Sequence, residues 1–116
     1  MSEITRLDQN RRRSRAVVHG SVAYIGGQVA DNKTAAIAQQ THEALSKIDS
    51  LLDEIGTDKS RLLTAQIWLR SMDDFDGMNA VWDAWIAPGS APTRCCGEVQ
   101  LADPDFRVEI VVSAAL

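Results

Sequence analysis

Two short apolar runs open the patterned part of the chain. Residues 16–19 and 22–26 are rich in valine, alanine and isoleucine, and Gly20 lies in the short gap between them. A glycine at this place supplies the positive φ that a tight β-turn requires. The pattern therefore predicts a β-hairpin. Gly26 and Gly27 at its end are typical of a place where another group approaches the backbone closely.

Two later segments have the three-to-four residue spacing of amphipathic helices. The first helix is predicted between Thr34 and Ile55, and Gly56 is expected to end it as the C′ residue. Its apolar face consists of Ile37, Thr41, Ala44, Ile48, Leu51 or Leu52, and Ile55. The apolar face of the second helix consists of Phe75, Met78, Trp82 and Trp85. Ser71, followed by Asp74 three residues later, is typical of a capping box at the start of the second helix.

Alternation of apolar and polar residues predicts three further strands, over residues 61–70, 94–101 and 106–115. The element order is therefore β-β-α-β-α-β-β, and the N-terminal segment has room for one more short strand. This order predicts an α+β fold in which both helices cover one face of a mixed sheet. The residues predicted to lie under the helices are Leu63, Ala65, Ile67 and Leu69, with Val108, Ile110 and Val112.

The opposite face of this sheet has no helix left to cover it. It is predicted to carry polar side chains together with Trp68, Cys96 and Val111. A partly apolar sheet face of this kind is typical of a protein interface. Self-association is the simplest expectation, because one sequence implies no other partner.

Arg94 and Glu109 are predicted to lie on this uncovered face, on adjacent antiparallel strands. One interpretation is a structural ion pair across the two strands. The other is a fixed guanidinium that binds a carboxylate with two hydrogen bonds, beside a carboxylate that orients water. The residue pattern by itself slightly favours the structural interpretation.

Composition and charge limit the classes of function. With 116 residues the chain has the size of one domain, residues 1–116. A net charge of −4 argues against nucleic acid as a partner, because a protein surface that binds the phosphate backbone is usually basic. The basic cluster of Arg11, Arg12, Arg13 and Arg15 lacks interleaved aromatic residues. It is therefore interpreted as a solvated strand entry rather than as an RNA or lipid site.

The remaining composition indicates the cellular context. Residues 1–15 lack the apolar segment of a signal peptide, and no stretch is long and apolar enough to span a membrane. The neighbouring Cys95 and Cys96 point to opposite faces of a strand, so they are expected to stay reduced, as in the cytoplasm. No cysteine or histidine spacing is typical of zinc, so no metal site is predicted.

Several motifs, in order along the chain, resemble one known family. They are Gly26-Gly27-Gln28, Gln40-Thr41, Phe75-x-x-Met78-Asn79-x-x-Trp82, Pro92-Thr93-Arg94-Cys95-Cys96 and Val108-Glu109-Ile110. The match is collinear from about Val17 to the C-terminus and resembles the reactive imine/enamine deaminase family, also called RidA, YjgF or UK114. The short chain and Trp82-x-x-Trp85 resemble the YoaB-like branch most closely.

This resemblance implies a chorismate-mutase-like fold and a homotrimer whose sheets line a central barrel, with three clefts between subunits. It implies hydrolysis of 2-imino or enamine acids to 2-keto acids and ammonia, without a cofactor or metal. Arg94 would bind the substrate carboxylate, and Glu109 would position the attacking water. Cys96 (through its backbone), Gly27 and Gly26 would help to seat the ligand, with Gly26 standing where the family usually has serine.

Two departures from the family pattern concern substrate preference. Arg13 is assigned to the region where the best-studied branch has a tyrosine near the cleft, and is therefore included among the substrate-binding residues. Gly97 stands where the family usually has an apolar side chain.

Three other functions are weighed against imine hydrolysis. A non-catalytic trimer that binds small carboxylate metabolites, or acts as a regulatory or chaperone-like protein, would use Arg94 in the same way. A chorismate-mutase-like pericyclic enzyme would need more than one cationic group around a dicarboxylate, and only Arg94 is clearly available. An endoribonuclease agrees poorly with the acidic charge balance.

Overall fold

Six strands and two α-helices make up the described part of the chain. The computed structural model describes residues 3–116, so Met1 and Ser2 of the predicted domain 1–116 lie outside the described residues. The strands are β1 (Ile4–Leu7), β2 (Ala16–His19), β3 (Val22–Gln28), β4 (Leu62–Leu69), β5 (Thr93–Glu98) and β6 (Val108–Ala115). The helices are α1 (Ile37–Ile55) and α2 (Phe75–Trp85), and short 3-10 turns at Lys59–Arg61 and Met72–Asp74 precede β4 and α2.

The strands form one mixed sheet in the order β1-β2-β3-β6-β4-β5. All neighbouring pairs are antiparallel except β4 and β5, which are parallel. Helix α2 connects β4 to β5, and a helical crossover returns the chain to the end where β4 began, so the two strands run in the same direction. The predicted mixed sheet with two helices is confirmed, and β1 fills the place allowed for an extra N-terminal strand.

The core lies between one face of this sheet and both helices. Helix α1 contributes its predicted apolar stripe, including Ala44 and Ile48, and α2 contributes Met78 and Trp82. The sheet contributes the buried side chains Ala65, Ile67, Leu69, Val108, Ile110 and Val112. The helical periodicity thus identified most of the buried residues, because only one stripe of each helix can reach the sheet, but it missed Leu45, which is 1% exposed.

Two glycines confirm a predicted turn and a predicted helix end. Gly20, in the β2–β3 turn, has φ +62°, and Gly56, which ends α1, has φ +98°. The Gly56 amide donates to the carbonyls of Leu52 and Asp53 and so satisfies the last turn of the helix. Helix α1 begins at Ile37 rather than near Thr34.

Gln40 ties two loops together beneath the sheet. Its side chain is fully buried, and Nε2 donates to the carbonyls of Lys33, Ala35 and Asp105 at 3.2, 3.0 and 3.2 Å. Its Oε1 accepts from the backbone amide of Arg107 at 2.9 Å. The loop before α1 and the segment that enters β6 are therefore held in one arrangement, which fixes where β6 begins, one residue before Glu109.

Two local predictions are wrong. The first residue of β4 that faces the core is Leu62 (6% exposed), whereas Leu63 is 42% exposed. An irregularity in the β4–β6 pairing between Leu62 and Thr64 reverses the alternation there. The predicted capping box is also absent: Ser71 accepts from the amide of Asp73, while the Asp74 carboxylate lies 3.6 Å from Nε of Arg107.

Strand β5 presents the opposite face from the one predicted. The parallel pairing sets Arg94 beside Ala65 and Cys96 beside Ile67, and both partners face the helices. Cys95 and Gly97 instead share the uncovered face with Gln66 and Trp68. The prediction failed because β5 is an edge strand with small or polar residues on both faces, so its alternation does not identify the buried side. Trp68 does face away from the helices, as predicted.

Candidate functional site

Arg94 extends from the edge strand β5 toward helix α2. Its Nη1 donates to Oδ1 of Asn79 at 2.8 Å, and its guanidinium carbon lies 5.5 Å from the ring centroid of Trp82. Asn79 and Trp82 are three residues apart in α2 and therefore lie on the same side of the helix. Trp82 is a core residue at 4% exposure, whereas Arg94 remains exposed to solvent.

A small cavity opens beside this guanidinium. It has a volume of about 360 Å³ and is lined by Asn79, Trp82, Asp83, Ala91, Pro92 and Arg94. Arg94 forms no ion pair within residues 3–116. A planar cation with free donors at the edge of a cavity is chemically suited to an incoming carboxylate.

Cys96 lies two residues further along β5, on the same face as Arg94. Its side chain is half-buried against the core. Burial raises the pKa of the Cys96 thiol above its ordinary value, although the positive charge of Arg94 acts in the opposite direction. Both Cys95 and Cys96 are free thiols, and Cys95 is exposed on the other face. A half-buried thiol with a raised pKa is a packing group rather than a strong nucleophile.

Glu109 belongs to a second region, on the uncovered face of the sheet. It pairs with Trp68 across β4 and β6, and it lines a larger cavity of about 890 Å³ together with Arg13, Gly26 and Gly27. Gly27 lies so close to Glu109 that a Cβ at this position would be 2.7 Å from Cδ of the glutamate. The close approach predicted for the glycine pair is therefore made by the Glu109 side chain against Gly27.

Arg13 reaches this cavity from an ordered turn between β1 and β2. Oδ1 of Asn10 accepts from the backbone amides of Arg12 and Arg13 at 2.7 and 2.9 Å. Asp8 has a φ of +47°, and its carbonyl accepts from Nη1 of Arg13 at 2.7 Å. The turn therefore holds both the backbone of Arg13 and one nitrogen of its guanidinium, while the residue remains exposed at the cavity wall.

The predicted adjacency of Arg94 and Glu109 is wrong. Strand β4 lies between β5 and β6, and the two side chains project from opposite faces of the sheet. Arg94 is in register with Ala65 and Glu109 with Trp68. Two strand spacings and three residues along the strand give a Cα separation of about 14 Å. Within one chain the predicted site residues therefore lie in two separate groups. One group is Arg94 with Cys96, and the other is Glu109 with Gly26, Gly27 and Arg13.

Asn79 and Trp82 were not predicted as site residues. Trp82 was interpreted only as a packing residue, which is correct but incomplete, since its ring also faces Arg94. The sequence does indicate that Asn79 and Trp82 lie on the same side of the second helix, because they are three residues apart. The strand pairing that brings Arg94 over them could not be obtained from that spacing.

Within residues 3–116, no cluster of three or more histidine, cysteine or acidic side chains could hold a metal ion. No helix in the same range is long and apolar enough to pass through a membrane.

A family model described as Endoribonuclease L-PSP matches residues 3–116. The chain belongs to this family. Relatives include a RutC family protein of Haemophilus ducreyi, 43% identical over 97% of each chain. The RutC family protein YoaB of Escherichia coli is 40% identical over 97% of this chain and 98% of its own. The predicted resemblance to the RidA/YjgF/UK114 family and its YoaB-like branch is confirmed.

Solved structures of family members have the same fold. A YjgF family protein from Neisseria meningitidis superposes with a TM-score of 0.94 at 42% identity, covering 97% of this chain and 94% of its own. A more distant family member, from Salmonella typhimurium, carries the name 2-iminobutanoate/2-iminopropanoate deaminase. The sequence of this Salmonella protein is 26% identical, and the alignment covers 78% of this chain and 77% of that protein.

Proposed function

We propose that this RidA/YjgF family member hydrolyses 2-imino and enamine acids to 2-keto acids and ammonia, at a site built from two copies of the chain. The observation that carries the proposal is Arg94, whose guanidinium borders a cavity without a carboxylate partner in the described part of the chain. The name of the Salmonella relative supports the substrate class. A small imino acid presents one carboxylate, which a guanidinium binds through two parallel hydrogen bonds.

The division of the site residues supports a site between subunits. Arg94 and Glu109 lie on opposite faces, with Cα atoms about 14 Å apart, while the carboxylate and C2 of an imino acid are directly bonded. Both side chains can act on one substrate only if they come from different chains. We propose a homotrimer with three such sites, in which Arg94 and Cys96 of one subunit meet Glu109, Gly26, Gly27 and Arg13 of the next.

The proposed reaction requires little chemical machinery, because an imine carbon is already electrophilic. Arg94 fixes the carboxylate and thereby orients C2. Glu109 accepts a proton as water adds to C2, and the electron pair of the C=N bond moves to nitrogen, which is protonated. In the resulting adduct the hydroxyl proton is transferred to the amino nitrogen, an electron pair of that oxygen forms the keto C=O bond, and the C–N bond breaks with its electrons leaving on ammonia. An enamine substrate first takes a proton at C3 to become the imine.

The first experiment is turnover by single variants. Imines are generated by an amino-acid dehydratase and trapped with semicarbazide, with and without the protein. Arg94→Ala is expected to retain the fold and oligomeric state but to abolish the acceleration, since Arg94 is the residue proposed to bind the carboxylate. Undiminished turnover by a folded Arg94→Ala protein would refute the assignment.

The second experiment tests whether the site is shared between chains. Arg94→Ala and Glu109→Gln proteins are each expected to be inactive alone. When the two are co-expressed and mixed trimers are isolated, one of the three subunit interfaces in each mixed trimer combines both unmodified halves, so about a third of the activity should return. Mixed trimers that remain inactive would contradict the two-chain site, while leaving carboxylate binding by Arg94 to be judged separately.

The alternative function is non-catalytic binding of small carboxylate metabolites, as a regulatory or chaperone-like trimer. It is favoured if assembly leaves Arg94 and Glu109 apart, because carboxylate binding would then persist without a group to activate water. Binding of 2-oxobutanoate without imine turnover would establish this alternative. The family description also names an endoribonuclease. The net charge of −4 weighs against RNA as a partner, and degradation of a labelled RNA serves as the control assay.

The proposed setting is the cytoplasm, where the free thiols Cys95 and Cys96 would remain reduced. The proposed chemistry requires no cofactor or metal.

A further inference from the structure

The guanidinium of Arg94 is restrained on one face and at one nitrogen, by two neutral groups. Asn79 accepts from Nη1 at 2.8 Å, and the Trp82 ring lies 5.5 Å from the guanidinium carbon. Within residues 3–116, Nε and Nη2 of Arg94 donate to no protein acceptor. These two nitrogens form the side of the guanidinium that binds a carboxylate in a side-on, bidentate manner.

We infer that Asn79 and Trp82 are positioning residues that present the Nε and Nη2 edge of Arg94 to a carboxylate while adding no negative charge of their own in contact with the guanidinium. The inference rests on the proposed function, which supplies the carboxylate. For this purpose the partners of the arginine must be neutral. A carboxylate at position 79 would hold the guanidinium equally well but would compete electrostatically with the ligand.

The structure also explains why Trp82 can serve this purpose. Its indole is packed in the core at 4% exposure, so its orientation is set by the fold rather than by the arginine. Trp85, one helical turn further, lies 5.4 Å from Trp82 between ring centroids and donates from Nε1 to Asp49 at 2.9 Å. A cation held over a fixed indole face is attracted by the ring quadrupole and loses some of its rotational freedom before the ligand arrives.

Asn79 provides the decisive variants, because it is a half-buried residue at the helix surface and tolerates substitution better than the core. Binding of 2-oxobutanoate, the keto acid formed from 2-iminobutanoate, is measured by titration calorimetry on the assembled protein. Asn79→Leu removes the acceptor and is expected to weaken binding about 3- to 10-fold. Asn79→Asp keeps an acceptor of the same size and is expected to weaken binding more than about 10-fold, because it compensates the guanidinium charge.

Trp82 is tested against its neighbour in the same helix. Trp82→Phe and Trp82→Leu are expected to weaken binding about 2-fold and about 5-fold respectively, following the strength of the ring quadrupole. Trp85→Phe and Trp85→Leu are the matched controls, since Trp85 is paired with Lys59 rather than with Arg94. A spectroscopic measurement accompanies them. The side-chain protons of Arg94 should show a ring-current shift in NMR spectra that Trp82→Leu removes and Trp85→Leu retains.

The outcomes separate the inference from the function on which it rests. If Arg94→Ala loses 2-oxobutanoate binding while Asn79→Asp binds as tightly as the unmodified protein, the positioning inference is overturned and the proposed function stands. Equal weakening by the Trp82 and Trp85 variants would also overturn it, because a general loss of packing would then explain the result. Normal binding by Arg94→Ala would overturn both. Weakening by both Asn79 variants, with the charged one weaker, supports the inference.

Discussion

The substitution Gly27→Ala tests whether catalysis requires the Glu109 carboxylate at the position that it has in the structure. The Cβ introduced by Gly27→Ala would lie 2.7 Å from Cδ and 3.0 Å from Cγ of Glu109. Carbon atoms in contact are normally about 3.5–4.0 Å apart, so the glutamate must retreat by roughly 1 Å. The substitution therefore displaces the carboxylate without changing its charge or the pairing of strand β6.

The expected effect on stability is small. The obstructing atoms belong to the end of a flexible side chain, and turning it away from its preferred rotamer costs about 0.5–1.5 kcal/mol. Replacing glycine with alanine, at a position without a positive φ, contributes about 0.4–1 kcal/mol through the unfolded chain. The two terms nearly cancel, so the free energy of unfolding should change by less than about 1 kcal/mol.

The expected effect on catalysis is much larger. Misplacing a catalytic group by about 1 Å can lower the rate by up to about 100-fold, so kcat/KM for imine hydrolysis should fall about 10- to 100-fold. Semicarbazide trapping measures turnover, and a crystal structure of the variant locates the carboxylate. Unchanged turnover in Gly27→Ala with a visibly displaced carboxylate would refute the role given to Glu109.

Three further predictions concern other parts of the structure. Arg94→Lys retains the charge but not the planar pair of donors, so kcat/KM should fall at least about 10-fold; a value near that of the unmodified enzyme would contradict bidentate binding. Because the Arg94 charge lowers the pKa of Cys96 and burial raises it, Arg94→Gln should raise that pKa further. Mass spectrometry of iodoacetamide-treated protein should then show slower alkylation of Cys96, with exposed Cys95 reacting first in both proteins. Gln40→Leu removes the hydrogen-bond partner of the Arg107 amide and of three part-buried carbonyls, so denaturant unfolding should show a loss of about 2–4 kcal/mol, and an unchanged midpoint would contradict the role of Gln40.

The separation of Arg94 from Glu109 makes assembly part of the proposed mechanism. If the two residues acted within one chain, dissociating the protein would leave activity intact. In the two-chain arrangement, activity should fall with the concentration of the assembled form. Turnover measured over a range of protein concentrations, alongside the oligomeric state by analytical ultracentrifugation, distinguishes these cases.

The amino-acid sequence by itself determined the local elements and most of the core. A helix buries one stripe of its surface and a strand buries one face. The periods of three to four and of two therefore identified α1, α2, the inner residues of β6 and, apart from Leu62, those of β4. Gly20 indicated a turn and Gly56 a helix end, because the positive φ required at both places is unfavourable for most other residues. Arg94 and Glu109 were selected as candidates by their place in recognisable motifs, and that selection required no structure.

Only the tertiary structure decided how these elements are combined. Hydrogen bonds between strands join backbone groups that every residue shares, so the sequence pattern did not reveal that β6 lies between β3 and β4 or that β5 runs parallel to β4. Alternation distinguishes the two faces of a strand but does not say which is buried when both carry small or polar side chains, as in β5. The side of the sheet on which Arg94 lies, its contacts with Asn79 and Trp82, and its distance from Glu109 therefore depend on strand order and register.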